Sequence, residues 1–142
     1  MKNFEKIFKR AKRLYFPLED RSILQELRAG APVLIYGWIL CGRDATHRKI
    51  LESLKTGEFS FDFKNQAIYY VGPTQAPPGK PIGSAGPTTS SRMDAYMEEF
   101  LKLGICATIG KGKRSYKVVQ ALKEYKAVYL ATFGGAGAFL SN

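Results

Sequence analysis

Apolar residues recur at helical spacing through the start of the chain, at Phe4, Ile7, Phe8, Ala11, Leu14 and Tyr15. That period predicts an amphipathic helix over residues 1–15. Pro17 ends it, and Ile23, Leu24 and Leu27 predict a second helix over residues 18–28, with Gly30 as its C-cap and Pro32 preventing continuation. The pattern then changes. Residues 33–40 (VLIYGWIL) form a near-continuous apolar run of strand length, the pattern of a strand covered on both faces. Gly37 within it predicts a bulge or a close backbone approach.

Beyond this strand, CGRDATH enters a predicted helix that ends near Lys55 and is closed by Gly57. Phe59, Phe61 and Phe63 alternate with Ser60 and Asp62, the period of a half-buried strand or hairpin arm. Residues 67–71 (AIYYV) predict a further strand. The helix predicted over 92–103 turns Met93, Tyr96, Met97, Phe100 and Leu101 inward as core, and Gly104 caps it. Residues 105–109 predict a buried strand. The next helix, 116–126, is expected to bury Val119 and Leu122, with Ser115 as its N-cap. The last clear strand, 127–132, leads into Gly134-Gly135-Ala136-Gly137. Strands alternating with helices from Val33 onward predict an α/β domain, layered with a mainly parallel sheet.

At 142 residues the chain has the length of one domain with a proper core. Its 45% apolar and 24% charged content is that of an ordinary globular protein. No apolar run has the length of a membrane span, and no secretory signal is visible. Cys41 and Cys106 lie inside apolar stretches and are read as reduced core residues of a cytoplasmic protein. Two cysteines and one histidine cannot supply a four-cysteine metal or cluster site.

The net charge of +10 is unevenly spread. Lys2, Lys6, Lys9, Arg10, Lys12 and Arg13 face one acid, Glu5, in the first fifteen positions. The first helix therefore reads as a docking helix with a solvated basic face, or as a membrane- or RNA-binding element.

The chemistry concentrates between residues 82 and 114 (IGSAGPTTSSRMDAYMEEFLKLGICATIGKGKR). Five of the seven prolines fall in residues 72–87, a loop long enough to be an ordered functional segment, a rigid surface loop or disorder. It runs into Thr88, Thr89, Ser90, Ser91 and Arg92 at a predicted helix start, where unpaired N–H groups attract anions. Lys111 stands between Gly110 and Gly112, where backbone can approach a ligand closely. These residues point to an anion site near Thr88, Arg92 and Lys111. A Walker A loop is excluded, because five residues separate Gly104 from Gly110 and Gly112 follows the lysine. Arg43 and His47 are four apart and could face one way if Arg43 already lies within the helix; the alternative is a surface pair between Arg43 and Asp44, with His47 partly exposed.

The segment IYYVGPTQAPPGKPIGSAGPTTSSRMDAYMEEFLKLGICATIGKG closely resembles the β-type domain of the class I fumarase and L-tartrate dehydratase family. RDATH at 43–47 is similar to that family's RD-x-x-H segment, and FGGAGAFL to its closing Gly-Gly-Ala stretch. The resemblance covers roughly residues 18–140. Two departures stand out: Ser91 takes a position where the family commonly has Gly, and the chain stops soon after the Gly-Gly-Ala stretch. The domain is therefore expected to be C-terminally incomplete, with residues 1–15 as a variable docking helix.

The resemblance implies a swivelling β/β/α domain. It implies the β subunit of a two-subunit 4Fe–4S hydro-lyase that hydrates or dehydrates a small dicarboxylate (fumarate/malate or tartrate/oxaloacetate). The cluster would be bound by a partner α subunit and not by this chain, with α/β pairs forming a higher oligomer. Arg43, Thr88, Arg92 and Lys111 fall on its substrate-site positions, with Thr88 as proton acceptor and Asp44, His47 and Thr89 in supporting positions; no residue here is a metal ligand. The other reading is a non-catalytic basic module for nucleic acid or an anionic surface, which retains the fold without the reaction.

Overall fold

The structure, a computed structural model, describes residues 2–58, 60–72, 76–81, 83 and 85–132. Phe59, parts of the proline-rich loop and the Gly-Gly-Ala stretch lie outside the described residues. The first helix, α1, spans Lys2–Arg10 and gives way at Lys12–Phe16 to a strand, β1. One helix to residue 15 was the expectation. Leu14 and Phe16 are instead buried on one side of β1, with Tyr15 exposed on the other. Leu14 satisfies both a 3.6 and a 2.0 period, and pairing with β2 (Val33–Gly37) decides for the strand. From Glu5 to Arg10 every residue of α1 is exposed.

The second predicted helix is a shorter 3-10 turn, Arg21–Glu26, whose cap Asp20 accepts from the Ser22 N–H at 2.9 Å. The apolar run after Pro32 splits at Gly37. β2 ends there, and β3 (Leu40–Cys41) joins a different sheet. The expected close approach is present: Gly37 has φ +94, and a Cβ on it would lie 2.1 Å from the Phe16 carbonyl oxygen. Only glycine fits a strand pressed that closely on its neighbour.

β3, β4 (Ala67–Tyr69), β5 (Ala107–Gly110) and β6 (Val128–Ala131) form a parallel sheet in chain order. Its crossovers are α2 (Asp44–Thr56), α3 (Asp94–Leu103) and α4 (Tyr116–Glu124). When strand order in space follows the chain, crossovers of one hand put their helices on one face. The packing agrees. Alternate residues of β4 face two separate cores: Ala67 packs with Leu14, Phe16, Leu24, Cys106, Ala107 and Ile109 between the sheets. Ile68 and Tyr70 pack with Met93, Phe100 and Ile105 beneath the helices. Met97 and Leu101 of α3 meet Val118 and Leu122 of α4 in a third cluster. Each buried side chain of this size contributes about 1.5–3 kcal/mol. The mixed α/β class with parallel sheets is as expected.

Three local expectations change. Val118, not Val119, is buried with Leu122, because a one-turn spacing from Val118 faces α3 while Val119 points outward. Residues 60–66 form no strand: Phe61 stands edge-on to Phe63, which is buried, and Asn65 turns the chain with φ +61. The Asn65 side chain donates to the Leu18 carbonyl at 2.9 Å, tying this turn to the first core. Cys106 is buried as expected, but Cys41 is exposed, because β3 is a two-residue strand at the sheet edge.

Candidate functional site

Parallel sheets bind ligands beyond the carboxyl ends of their strands, and the singled-out residues lie beyond three such ends. β3 runs into Gly42 and Arg43, β4 into residues 70–72, and β5 into Lys111. Arg43 is the residue before the first turn of α2, in extended conformation, and so is not within the helix as one reading required. Its side chain is laid over Gly72, where an added Cβ would fall 2.5 Å from the guanidinium carbon. A side chain at position 72 would displace Arg43.

The loop from β4 returns along the sheet. The Thr88 N–H donates to the Tyr70 carbonyl at 2.7 Å, and Val71 bridges to Pro87. Thr88 and Thr89 then run beside Lys111: the Lys111 N–H donates to the Thr88 carbonyl at 3.3 Å and the Ser90 N–H to the Lys111 carbonyl at 2.9 Å. Gly110 makes this possible, because a Cβ there would stand 2.0 Å from the Ser90 hydroxyl. Ser90 is fully buried and donates to the Tyr129 hydroxyl at 2.9 Å, which donates to the Gly112 carbonyl at 2.8 Å.

Arg92 lies in a 3-10 turn, Ser90–Met93, that precedes α3, so the helix starts two residues later than predicted. Its guanidinium reaches Asp44 at 2.9 Å, and both groups remain accessible. The surface pair expected between Arg43 and Asp44 is replaced by this one, since Arg43 is turned onto Gly72. A hydrogen bond from its own backbone N–H holds the Asp44 carboxyl below the usual carboxylate range, aided by Arg92 and Arg43. Asp44 also complements the positive end of α2. Arg43, Thr88, Arg92 and Lys111 are thus joined through Gly72, Tyr70 and Asp44 into one neighbourhood, with Thr89 exposed at its edge.

His47 is buried rather than partly exposed, at 3%. Its Nδ1 donates to the Arg43 carbonyl at 2.7 Å, and its ring packs among Tyr70, Tyr96 and Phe100. Nε2 has no partner among the described residues. Burial lowers the imidazole pKa below 6.5, and the Arg114 charge acts in the same direction. His47 thereby fixes the backbone at Arg43 without reaching the surface.

The sequence carries no sign of the roles of Gly72, Tyr129 and Arg114, and Ser90, read there as a helix-start hydroxyl, is instead a buried link. Arg114 was the most readable of them, a cation two residues beyond Gly112 and next to the N-cap Ser115. Its burial was not.

The described residues hold no group of three or more His, Cys, Asp or Glu able to bind a metal ion, and no helix long and apolar enough to cross a membrane. The thiols do not converge: Cys41 is on the edge strand, and Cys106 is in the core between the sheets.

A domain of parallel sheets whose hydroxyl and cationic side chains lie near the strand ends belongs to the broad class of mixed α/β folds. Comparison with known proteins narrows it. The family profile for the fumarase C-terminus matches residues 5–142, and the chain belongs to that family. It is 38% identical over 124 residues to "Fumarate hydratase 2" of Leishmania major, covering 86% of this chain and 22% of that protein. With "Fumarate hydratase class I, aerobic" of Salmonella typhimurium it shares 37% over 126 residues, or 85% and 22% of the two. With "Putative L(+)-tartrate dehydratase subunit beta" of Methanocaldococcus jannaschii it shares 39% over 127 residues, or 84% and 63%. The chain therefore spans about a fifth of the two fumarate hydratases and less than two thirds of the subunit.

Proposed function

We propose that this chain is the β-type half of a hydro-lyase acting on a small dicarboxylate, fumarate/malate or tartrate/oxaloacetate, in complex with an α-type partner. The observation that supports the reading is the linkage of four segments near the strand ends: Arg43 over Gly72, Thr88 bonded to Tyr70 and Lys111, and Arg92 paired with Asp44. A dianion needs fixed cations, and a guanidinium offers a carboxylate a planar fork. Taking a proton α to a carboxylate builds negative charge on it, which Arg43, Arg92 or Lys111 would stabilise. Thr88 would accept that proton. A threonine alone is a poor base, so it depends on the neighbouring cations. Asp44 on Arg92 keeps the guanidinium oriented until substrate binds, and His47 holds Arg43 through its carbonyl.

The tartrate dehydratase beta subunit relative, of which this chain covers 63%, supports a separate β chain with an α partner. The residues here do not fit an iron–sulfur cluster, so its ligands belong to that partner. There the cluster would supply a Lewis acid for the departing hydroxyl. The swivelling β/β/α assignment, the higher oligomer of α/β pairs and a cytoplasmic location belong to the same proposal. The two stacked sheets with helices on one face support the first of these.

The test is steady-state kinetics of the α/β complex on fumarate, L-malate and L-tartrate. Lys111→Met should lower turnover by about 10²–10³, as removal of an oxyanion donor does. Arg92→Lys should also be damaging, because a point charge cannot replace a bidentate fork. Both variants should melt near the parent and keep their cluster. Near-parental kcat/KM in both would remove the anion site at its centre.

A further inference from the structure

Arg114 lies outside the set of cations just assigned, and its setting is unlike theirs. Its side chain is 1% exposed, and its Nε lies 3.0 Å from Asp94 Oδ1. The guanidinium carbon sits 5.1 Å from the Tyr70 ring centroid and 5.2 Å from that of Tyr129. The contact with Asp94 is an ion pair rather than an aligned hydrogen bond. Nε, Nη1 and Nη2 have no well-aligned acceptor among the described residues, although the Tyr70 hydroxyl is close enough to interact with the guanidinium. The second Asp94 oxygen accepts from the Ser115 N–H at 3.0 Å.

Such an arrangement is poorly suited to stabilising a fold. A buried ion pair with unfilled donors recovers little of its desolvation cost, and apolar side chains of similar volume often do as well or better. Buried polar groups of this kind are expected where function and local rules disagree.

The connectivity points to what the pair does. Asp94 follows Arg92 by two residues, and Arg114 follows Lys111 by three. The pair therefore joins the segment carrying Thr88 and Arg92 to the segment carrying Lys111. Among the described residues two further links join these segments. One is the strand-like pairing of Thr89 with Lys111, in which the Ser90 N–H donates to the Lys111 carbonyl at 2.9 Å and the Lys111 N–H to the Thr88 carbonyl at 3.3 Å. It holds the backbone only; the other is the Ser90–Tyr129–Gly112 hydroxyl chain. Tyr70 and Tyr129, which flank the guanidinium, are bonded to the same segments: Tyr70 offers its carbonyl to Thr88, and Tyr129 bonds both Ser90 and Gly112.

We infer that Arg114 is a positioning residue: its buried pair with Asp94, clamped between Tyr70 and Tyr129, fixes Lys111 relative to Thr88 and Arg92. The inference rests on the proposed dicarboxylate site for its kinetic consequence, but the clamp is a property of this chain alone. At 1% exposure the Arg114 side chain is buried away from the surface that a substrate would reach. A misplacement near 1 Å costs about 10²-fold in rate, so loosening the clamp acts on turnover through Lys111.

The test replaces the pair by apolar residues, Arg114→Met with Asp94→Leu, beside Arg114→Lys and the benchmark Lys111→Met. The first measurement is amide hydrogen exchange of this chain. The Lys111 and Ser90 amides should lose at least tenfold in protection in the double variant. The Val128 amide, bonded to the Cys106 carbonyl in the core, should keep its protection, and the melting temperature should hold. Arg114→Lys should restore part of the loss. In the α/β complex, kcat on the preferred dicarboxylate should fall about 10–10²-fold in the double variant. Unchanged Lys111 and Ser90 exchange overturns the clamp, as does a uniform fall in protection with a lowered melting temperature, which marks a merely structural pair. If Lys111→Met leaves kcat/KM unchanged, the dicarboxylate site has failed, and the clamp then stands or falls on the exchange data.

Discussion

His47 shows how one side chain can be both buried and consequential. Its Nδ1–H holds the Arg43 carbonyl in either protonation state, but its burial, with Nε2 bare, favours the neutral ring. Burial depresses its folded-state pKa below 6.5. A group of this kind gives its full stability above the unfolded value. That stability is lost as pH falls from there through the depressed folded value, because the unfolded chain takes up the proton first. The melting temperature should therefore decline as pH is lowered below 6.5, and His47→Gln should melt lower at pH 8 but with a shallower decline. Thermal melts of both proteins from pH 8 to pH 5 check this; a parental slope in the variant would mean that another group governs it. Spacing alone gives Arg43 and His47 a shared face. It could not reveal that one would be laid on Gly72 and the other sealed beneath Tyr96 and Phe100.

At the scale of elements, the site depends on a loop threaded against a strand end. Gly110 closes β5 where Ser90 passes, and a Cβ would meet the Ser90 hydroxyl at 2.0 Å. Ser90 cannot swing away freely, being fully buried and bonded to Tyr129. Gly110→Ala should thus push the Thr88–Arg92 segment off the strand. The expected cost is about 1–3 kcal/mol of stability from overpacking, together with loss of most turnover in the α/β complex. A crystal structure of the variant should show Ser90 and Thr88 displaced; an unmoved loop with parental activity would contradict the assignment. Elements with strong local signals are legible in the sequence: α3 with its Met and aromatic stripe, Gly57 and Gly104 as left-handed caps, Ser115 as N-cap. Those misread are the ones where two periods coincide, as at Leu14, or where a turn interrupts an apolar run, as at Gly37.

On the scale of the whole molecule, the two thiols report different things. Cys41 is exposed, whereas Cys106 lies at 0% exposure in the core between the sheets, and burial pushes its thiol up to about 11. A thiol reagent at pH 8 should label one cysteine in the native chain and the second only at the rate of global unfolding. Cys41→Ser should abolish the fast phase and leave the slow one. Fast labelling of Cys106 in that variant would mean the inter-sheet core opens locally.

What the sequence determined by itself is local or compositional: the alternation of strands and helices, the caps, the charge at the N-terminus, and the motif residues from Arg43 to Lys111. These follow from propensity, period and residue type, which act over a few positions. Tertiary structure alone decided that residues 12–16 form a strand and that Arg92 pairs with Asp44. It also decided that Arg114 goes under the site as a buried cation. Each of those outcomes depends on a partner 20 to 48 positions away, and no short-range pattern encodes which distant partner a side chain will meet.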